Sequence, residues 1–148
     1  MNKLYIRIVS AEGLHGADLG GKSDPFCRLS INGKEIPDKI KKKGKIFDGE
    51  TKIIKKTVSP VWNETFVLYV TPGNENSDHL LIQIFDHDKL SKNDSLGGVK
   101  IPLSDLLSGQ PVSGAYKVVP LKKEKAKGKI HLKLHYCPIG VPFQTKEF

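Results

Sequence analysis

Lys129-Ile130-His131-Leu132-Lys133-Leu134-His135-Tyr136 alternates without a break, with Ile130, Leu132, Leu134 and Tyr136 on one side and Lys129, His131, Lys133 and His135 on the other. A β-strand points successive side chains to opposite faces, so this stretch is a strand with one face in a core and the other in solvent. The same period of two sets Leu4, Ile6 and Ile8 against Tyr5, Arg7 and Val9 over residues 4–9. Further β-rich runs occupy 26–31, 51–57, 62–70, 80–85, 97–103 and 116–121, separated by Gly, Pro, Asn and Ser clusters. Pro25 suits the first position of its strand. Only residues 104–107 read as a helical turn, with Ser104 as its cap. Eight short strands and no long helix predict an all-β fold, an eight-stranded antiparallel β-sandwich with Greek-key connections.

At 148 residues the chain matches one ordinary domain able to bury a core without staples. Hydrophobic content of 38% against 27% charged residues is globular, and 14 Gly with 9 Pro suit many turns. No internal repeat is present. Residues 1–137 are expected to form the domain, 32–50 a long exposed loop carrying Lys39, Lys41, Lys42, Lys43 and Lys45, and 138–148 a loose C-terminal tail. Lysines cluster again at Lys52, Lys55 and Lys56, and between Lys117 and Lys133. A net charge of +8 points to an anionic partner: membrane lipid, nucleic acid or an acidic protein. Cys27 and Cys137 are too few for a disulfide framework, and Arg7 interrupts the first apolar run, so no signal peptide is read. An intracellular, cytoplasmic chain with reduced thiols is expected. No apolar run approaches the roughly 18 residues of a membrane span, so any membrane association is expected to be peripheral.

Carboxylates concentrate in two loops. Asp86, Asp88 and Asp94 follow the run 80–85, and Asp18 and Asp24 sit in a glycine-rich loop after the first strand. Such residues also make ordinary polar turns. Both loops leave odd-numbered strands, so a sandwich can bring them to one end. Two like charges about 4 Å apart cost on the order of 4 kcal/mol at a protein surface, so five grouped carboxylates ask for a hard cation. Calcium suits them, because it accepts about six to eight oxygen ligands in flexible geometry, whereas magnesium demands a stricter octahedron. An EF-hand is excluded: counted from Asp86, Leu90, Ser91 and Gly97 stand where it needs an oxygen ligand, Gly and Glu. His131 and His135 read as solvent-facing strand residues rather than zinc ligands.

Three segments together resemble the C2 domain, a β-sandwich module that binds calcium and phospholipid. They are Leu14 with residues 18–26 (Asp18 to Phe26), residues 55–66 (Lys55-Lys56-Thr57-Val58-Ser59-Pro60-Val61-Trp62-Asn63-Glu64-Thr65-Phe66), and Asp86-His87-Asp88 with Asn93-Asp94-Ser95-Leu96-Gly97. The resemblance covers about residues 3–136. The Gly128 to Tyr136 strand comes last, which resembles the second (type II) of the family's two permuted topologies. The resemblance implies a Ca2+ site at Asp18, Asp24, Asp86, Asp88 and Asp94, joined by the main-chain carbonyls of Ala17 and His87. It implies lipid contact through Lys52, Lys55, Lys56 and Arg28, with Leu19 and Leu90 as apolar loop tips. Ser30 and Glu50 stand where related domains often carry lysine. Trp62 and Asn63 read as structural.

The expected function is a calcium-binding module that docks peripherally on anionic phospholipid membranes, phosphatidylserine or phosphoinositide, and is recruited from the cytoplasm when calcium rises. The alternative is a calcium-independent adaptor whose lysine-rich faces bind phosphoinositide or a protein partner. No G-x-S-x-G elbow or Cys/His motif points to an enzyme. No aromatics interleave with the lysines and no known motif points to nucleic acid.

Overall fold

The structure, a computed structural model, describes residues 1–16, 20–33, 47–90, 92–144 and 148. Among them are eight strands: β1 (Asn2–Glu12), β2 (Pro25–Ile31), β3 (Gly49–Glu50), β4 (Val61–Val70), β5 (His79–Asp86), β6 (Asp94–Pro102), β7 (Val112–Lys117) and β8 (Lys129–Cys137). They form two antiparallel four-stranded sheets in the orders β4-β1-β8-β7 and β3-β2-β5-β6. The all-β sandwich is thus as the alternation predicts. Leu4, Ile6 and Ile8 of β1 and Ile130, Leu132, Leu134 and Tyr136 of β8 meet Leu29, Ile82 and Ile84 of the other sheet in one core. Each such aliphatic side chain contributes about 1.5–3 kcal/mol through burial.

Both ladders of β1 slip between Ile8 and Ser10. Trp62 and Asn63 of β4 there oppose the single residue Val9, and Asn63 takes φ 51°. Asparagine tolerates this left-handed conformation better than most residues. Trp62 lies in the core and its indole N–H donates to the Lys52 carbonyl at 3.0 Å. Both residues therefore serve the fold.

Several local expectations are corrected. Residues 51–57 form no strand. Their N–H groups donate to β2 and its approach at Thr51→Cys27, Ile54→Pro25 and Thr57→Ser23 (2.9, 3.1 and 2.8 Å), three residues of this segment advancing for each two of its neighbour, so no regular ladder forms. The third strand is instead Gly49–Glu50, inside the stretch expected to be loop, paired with Arg28 and Leu29. Residues 34–46 of that loop, with its lysine run, lie outside the described residues. The strand expected at 116–121 runs over Val112–Lys117, because Pro120 lacks the N–H a ladder needs and Val119 crosses to bridge Gly98 in the other sheet. The helical turn is a 3-10 turn over Leu103–Leu106, entered from Pro102 with no side-chain cap, so Ser104 lies within it.

The tail packs against the sandwich, and His135 does not face solvent. Phe143 stacks on Tyr5, with centroids 3.9 Å apart and planes 12° from parallel, and lies 5.8 Å from the His135 ring. The Ile139 N–H donates to Asn2 Oδ1 at 3.0 Å. Residues 138–144 thus cross the outer face of the β1–β8 sheet, and His135, expected in solvent, is completely buried, its Nε2 3.2 Å from the Gly109 carbonyl. A tyrosine ring in the middle of a sheet face gives the tail an apolar seat.

Candidate functional site

The register brings the acids together. Pro25, where β2 begins, pairs with Asp86, where β5 ends, and Asp86 pairs with Asp94, where β6 begins. Asp24, Asp86 and Asp94 therefore stand at one end of one sheet, and the loops after β1 and β5 meet there. The junction is hydrogen-bonded. Asp24 N–H donates to Asp86 Oδ1 (2.7 Å), His87 N–H donates to the Asp24 carbonyl (3.0 Å), and Lys56 N–H donates to Asp24 Oδ1 (2.7 Å). Lys56 sits at φ 52°, a conformation uncommon for lysine, which presents its N–H to that carboxylate.

Beyond β5 the loop is shaped by its own polar groups. Asn93 Oδ1 accepts the Asp88 N–H and Asp88 Oδ1 accepts the Leu90 N–H, each at 2.8 Å. This is an Asx-type turn that places Leu90 at the loop tip, 97% exposed. Ala17, Asp18 and Leu19 lie outside the described residues. Among the described residues no group of three or more His, Cys, Asp and Glu converges as a metal-binding cluster. Asp24, Asp86, Asp88 and Asp94 at this end are oxygen donors, with the His87 imidazole in the same loop. Carboxylate oxygens are the ligand type that a hard divalent cation takes.

Lys52, Lys55 and Lys56 are exposed. Arg28 is not placed like them. Its Nε pairs with Glu50 Oε2 at 2.8 Å, its guanidinium lies 4.9–5.3 Å from the Phe26, Phe47 and Phe85 ring centres, and its side chain is only 16% exposed. Glu50 thus stands as the partner of Arg28. The histidines form no shared site: His131 Nε2 lies 2.9 Å from Glu12 Oε1, while His135 is held under the tail. Cys27 and Cys137 are free; burial pushes both thiols up, Glu64 adding to the rise at Cys27 and Lys3 opposing it at Cys137.

One contact at this end has no warning in the sequence beyond a single acid among lysines. Glu124, in the loop between β7 and β8, accepts the Ser95 hydroxyl at 2.6 Å and the Lys122 N–H at 2.8 Å. Burial pushes its carboxyl up, but those hydrogen bonds win and hold it below the usual glutamate value.

The C2 domain family matches residues 2–118. The chain belongs to the C2 domain family. The matched span ends just after β7, yet β8 completes this C2 sandwich by pairing with both β1 and β7. Among curated proteins, rat synaptotagmin-5 is 33% identical over 138 residues, covering 92% of this chain and 33% of that protein. The chain spans about a third of the length of the curated relatives it matches. Among solved structures, a C2 domain of plant extended synaptotagmin 1 shares the fold, with a TM-score of 0.74 and 22% identity over 93% of this chain and 95% of that one. The calcium-bound pair of C2 domains from extended synaptotagmin 2 aligns with a TM-score of 0.68 and 28% identity, over 91% of this chain and 45% of that one. Among the described residues of this C2 domain, no helix is long and apolar enough to cross a membrane.

Proposed function

We propose that this C2 domain, residues 1–137 in the family's second topology, binds calcium and docks peripherally on anionic phospholipid. In this reading Asp18, Asp24, Asp86, Asp88 and Asp94, with the carbonyls of Ala17 and His87, hold the ion. The observation that carries the reading is the adjacency of Asp24, Asp86 and Asp94 across the ends of β2, β5 and β6. Grouped carboxylates at a strand end repel one another unless a cation joins them. The likeness to a calcium-bound extended synaptotagmin 2 structure supports the same assignment. A bound calcium supplies positive charge and a coordination sphere that phosphate or carboxylate oxygens of lipid can complete.

The chain's own residues do the rest. The N–H groups of Asp24, His87 and Lys56 fix the two acidic loops relative to one another. Leu90, and Leu19 by its position in the sequence, offer apolar tips, and Lys52, Lys55 and Lys56 attract phosphatidylserine or phosphoinositide. Arg28 reaches a headgroup only by giving up Glu50 and three rings, so the lysines carry the basic contact. The module works by binding, not by catalysis, and moves from cytoplasm to membrane as calcium rises.

Calorimetric calcium titration, paired with sedimentation on phosphatidylserine vesicles, tests this. The wild type is expected to take up calcium and to sediment more in its presence. The Asp86→Asn/Asp88→Asn double variant should lose calcium-dependent sedimentation. A wild type that gives no calcium heat and sediments equally with chelator would replace this reading with the calcium-independent adaptor.

A further inference from the structure

The loop between β7 and β8 carries patterned charge, and its place in the fold gives that charge a task. Residues 121–127 run Leu121-Lys122-Lys123-Glu124-Lys125-Ala126-Lys127. The base of the loop is closed by Val118 N–H to the Gly128 carbonyl at 3.0 Å, and its start is tied to β6 by the Gly98–Val119 bridge. Its middle is pinned by Glu124, which takes the Ser95 hydroxyl at 2.6 Å. Ser95 adjoins Asp94, the residue facing Asp86 in the β5–β6 ladder. The loop is therefore anchored at the same end of the sandwich as the acidic loops.

Glu124 is the only acid in the loop, and its carboxylate is turned onto Ser95 and the Lys122 N–H. Lys122, Lys123, Lys125 and Lys127 are exposed, and none has an ion-pair partner among the described residues. A charge that folds back onto a partner serves stability. Four that do not, on an anchored loop, are available to an external anion.

We infer that the 121–127 loop is a second membrane-docking element, a lysine rim that binds anionic phospholipid headgroups beside the acidic loops and without calcium. The inference deepens the proposed function and rests on it for the orientation of the acidic end towards the membrane. Leu90, 97% exposed at that end, favours a lipid surface over a nucleic acid, since an apolar tip finds a partner in the headgroup region and none along a phosphodiester backbone. The rim also offsets the repulsion that metal-free aspartates exert on an anionic leaflet. It lets the domain dwell near the membrane before calcium arrives.

The test is sedimentation on phosphatidylserine-containing and pure phosphatidylcholine vesicles, with chelator and with calcium, at about 0.1 M salt, where charges beyond about 10 Å are screened. The variants are Lys122→Ala/Lys123→Ala/Lys125→Ala/Lys127→Ala and its all-arginine counterpart, with far-UV circular dichroism checking the fold. Each lysine near an anionic surface is worth about 1 kcal/mol, so the alanine variant should bind phosphatidylserine vesicles at least about tenfold more weakly in chelator. The arginine variant should bind like wild type, and calcium heats without lipid should be the same for all three. Wild-type-like vesicle binding by the alanine variant, in chelator and in calcium, overturns the lysine rim while leaving the calcium reading intact. Loss of all calcium dependence in the wild type, with lysine dependence retained, overturns the calcium reading and keeps the rim. If the alanine substitutions weaken binding to duplex DNA but not to vesicles, the assignment to membrane falls.

Discussion

Gly97 shows how narrowly one position is specified. It sits at φ 97° in β6, where the ladder with β5 slips between Ile84 and Phe85, and a Cβ there would lie 2.6 Å from both the Val119 carbonyl oxygen and the Ala126 Cβ. Gly97→Ala therefore combines backbone strain with a clash against main chain that is itself bridged to Gly98. A loss of about 2–4 kcal/mol is expected, read as a lower urea midpoint with unchanged slope. Tyr136 makes a second residue-scale prediction. Burial, the hydrogen bond it donates to Glu75 (2.8 Å) and that carboxylate's charge together push its hydroxyl up to about 12, although Asn2, donating to it at 2.7 Å, pulls the other way. The folded state thus holds the proton more tightly than the unfolded chain, whose tyrosines titrate near about 10. The stability this contributes is whole below about pH 10 and is lost as pH rises towards 12. Thermal melts should fall over that window in the wild type and less steeply in Tyr136→Phe. That Tyr136 faces inward is legible in the period of two; that Glu75 waits for its hydroxyl is not, because the partners are 61 residues apart.

At the scale of elements, the strands that alternate were legible and the segments that do not were not. The 51–57 run has β-formers, yet its carbonyl partners on β2 and the residues leading into it impose a three-for-two stagger that no local propensity encodes. The tail is the clearer case. Pro138, Gly140 and Pro142 break any period, so nothing in 138–148 announces a seat, and the seat is Tyr5 at the far end of the chain. Phe143→Ala should remove the stack and uncover His135. The expected cost is about 1–2 kcal/mol in urea unfolding. A readout specific to the strap is the His135 side-chain resonance, which should shift towards solvent values in the variant. An unchanged resonance would mean that Phe143 is not what covers the ring. The loop at 121–127 behaves differently, since its pin is ionisable. Hydrogen bonds hold the Glu124 carboxyl below its usual value, so the loop's anchorage is complete above the ordinary glutamate range and is lost as pH falls through the lowered folded value. Hydrogen exchange at residues 122–126 should rise in that acid range before the core opens.

For the whole molecule, antiparallel pairing sets Asp86 opposite Asp94 and opposite Pro25, the neighbour of Asp24, so the proposed site gathers like charges at one sheet end. Three of the five acids are near neighbours in sequence and were legible as a cluster. Their meeting with Asp24 depends on which strands are adjacent, which the odd-numbered placement of the loops anticipates and the Pro25–Asp86 register displays. Stability should therefore respond to the ion and to the charges in opposite senses. A ligand that binds only the folded state adds about 2.7 kcal/mol at a hundred times its dissociation constant, which for a domain of this size raises the melting temperature by roughly 5–10 °C. Asp86→Asn keeps an oxygen to accept the Asp24 N–H but removes one charge from the group. Without calcium the variant should melt at or above the wild-type temperature, because repulsion is relieved. With calcium the wild type should rise by several degrees and the variant by little, so the order of the two melting temperatures inverts. Magnesium at the same concentration should move neither by as much, since calcium accepts flexible oxygen coordination whereas magnesium demands a near-ideal octahedron. Melting curves of both proteins in chelator, calcium and magnesium decide the matter. A wild-type curve that calcium leaves in place, or an Asp86→Asn curve that rises as far as the wild type, would show that these carboxylates are grouped for some purpose other than holding the ion.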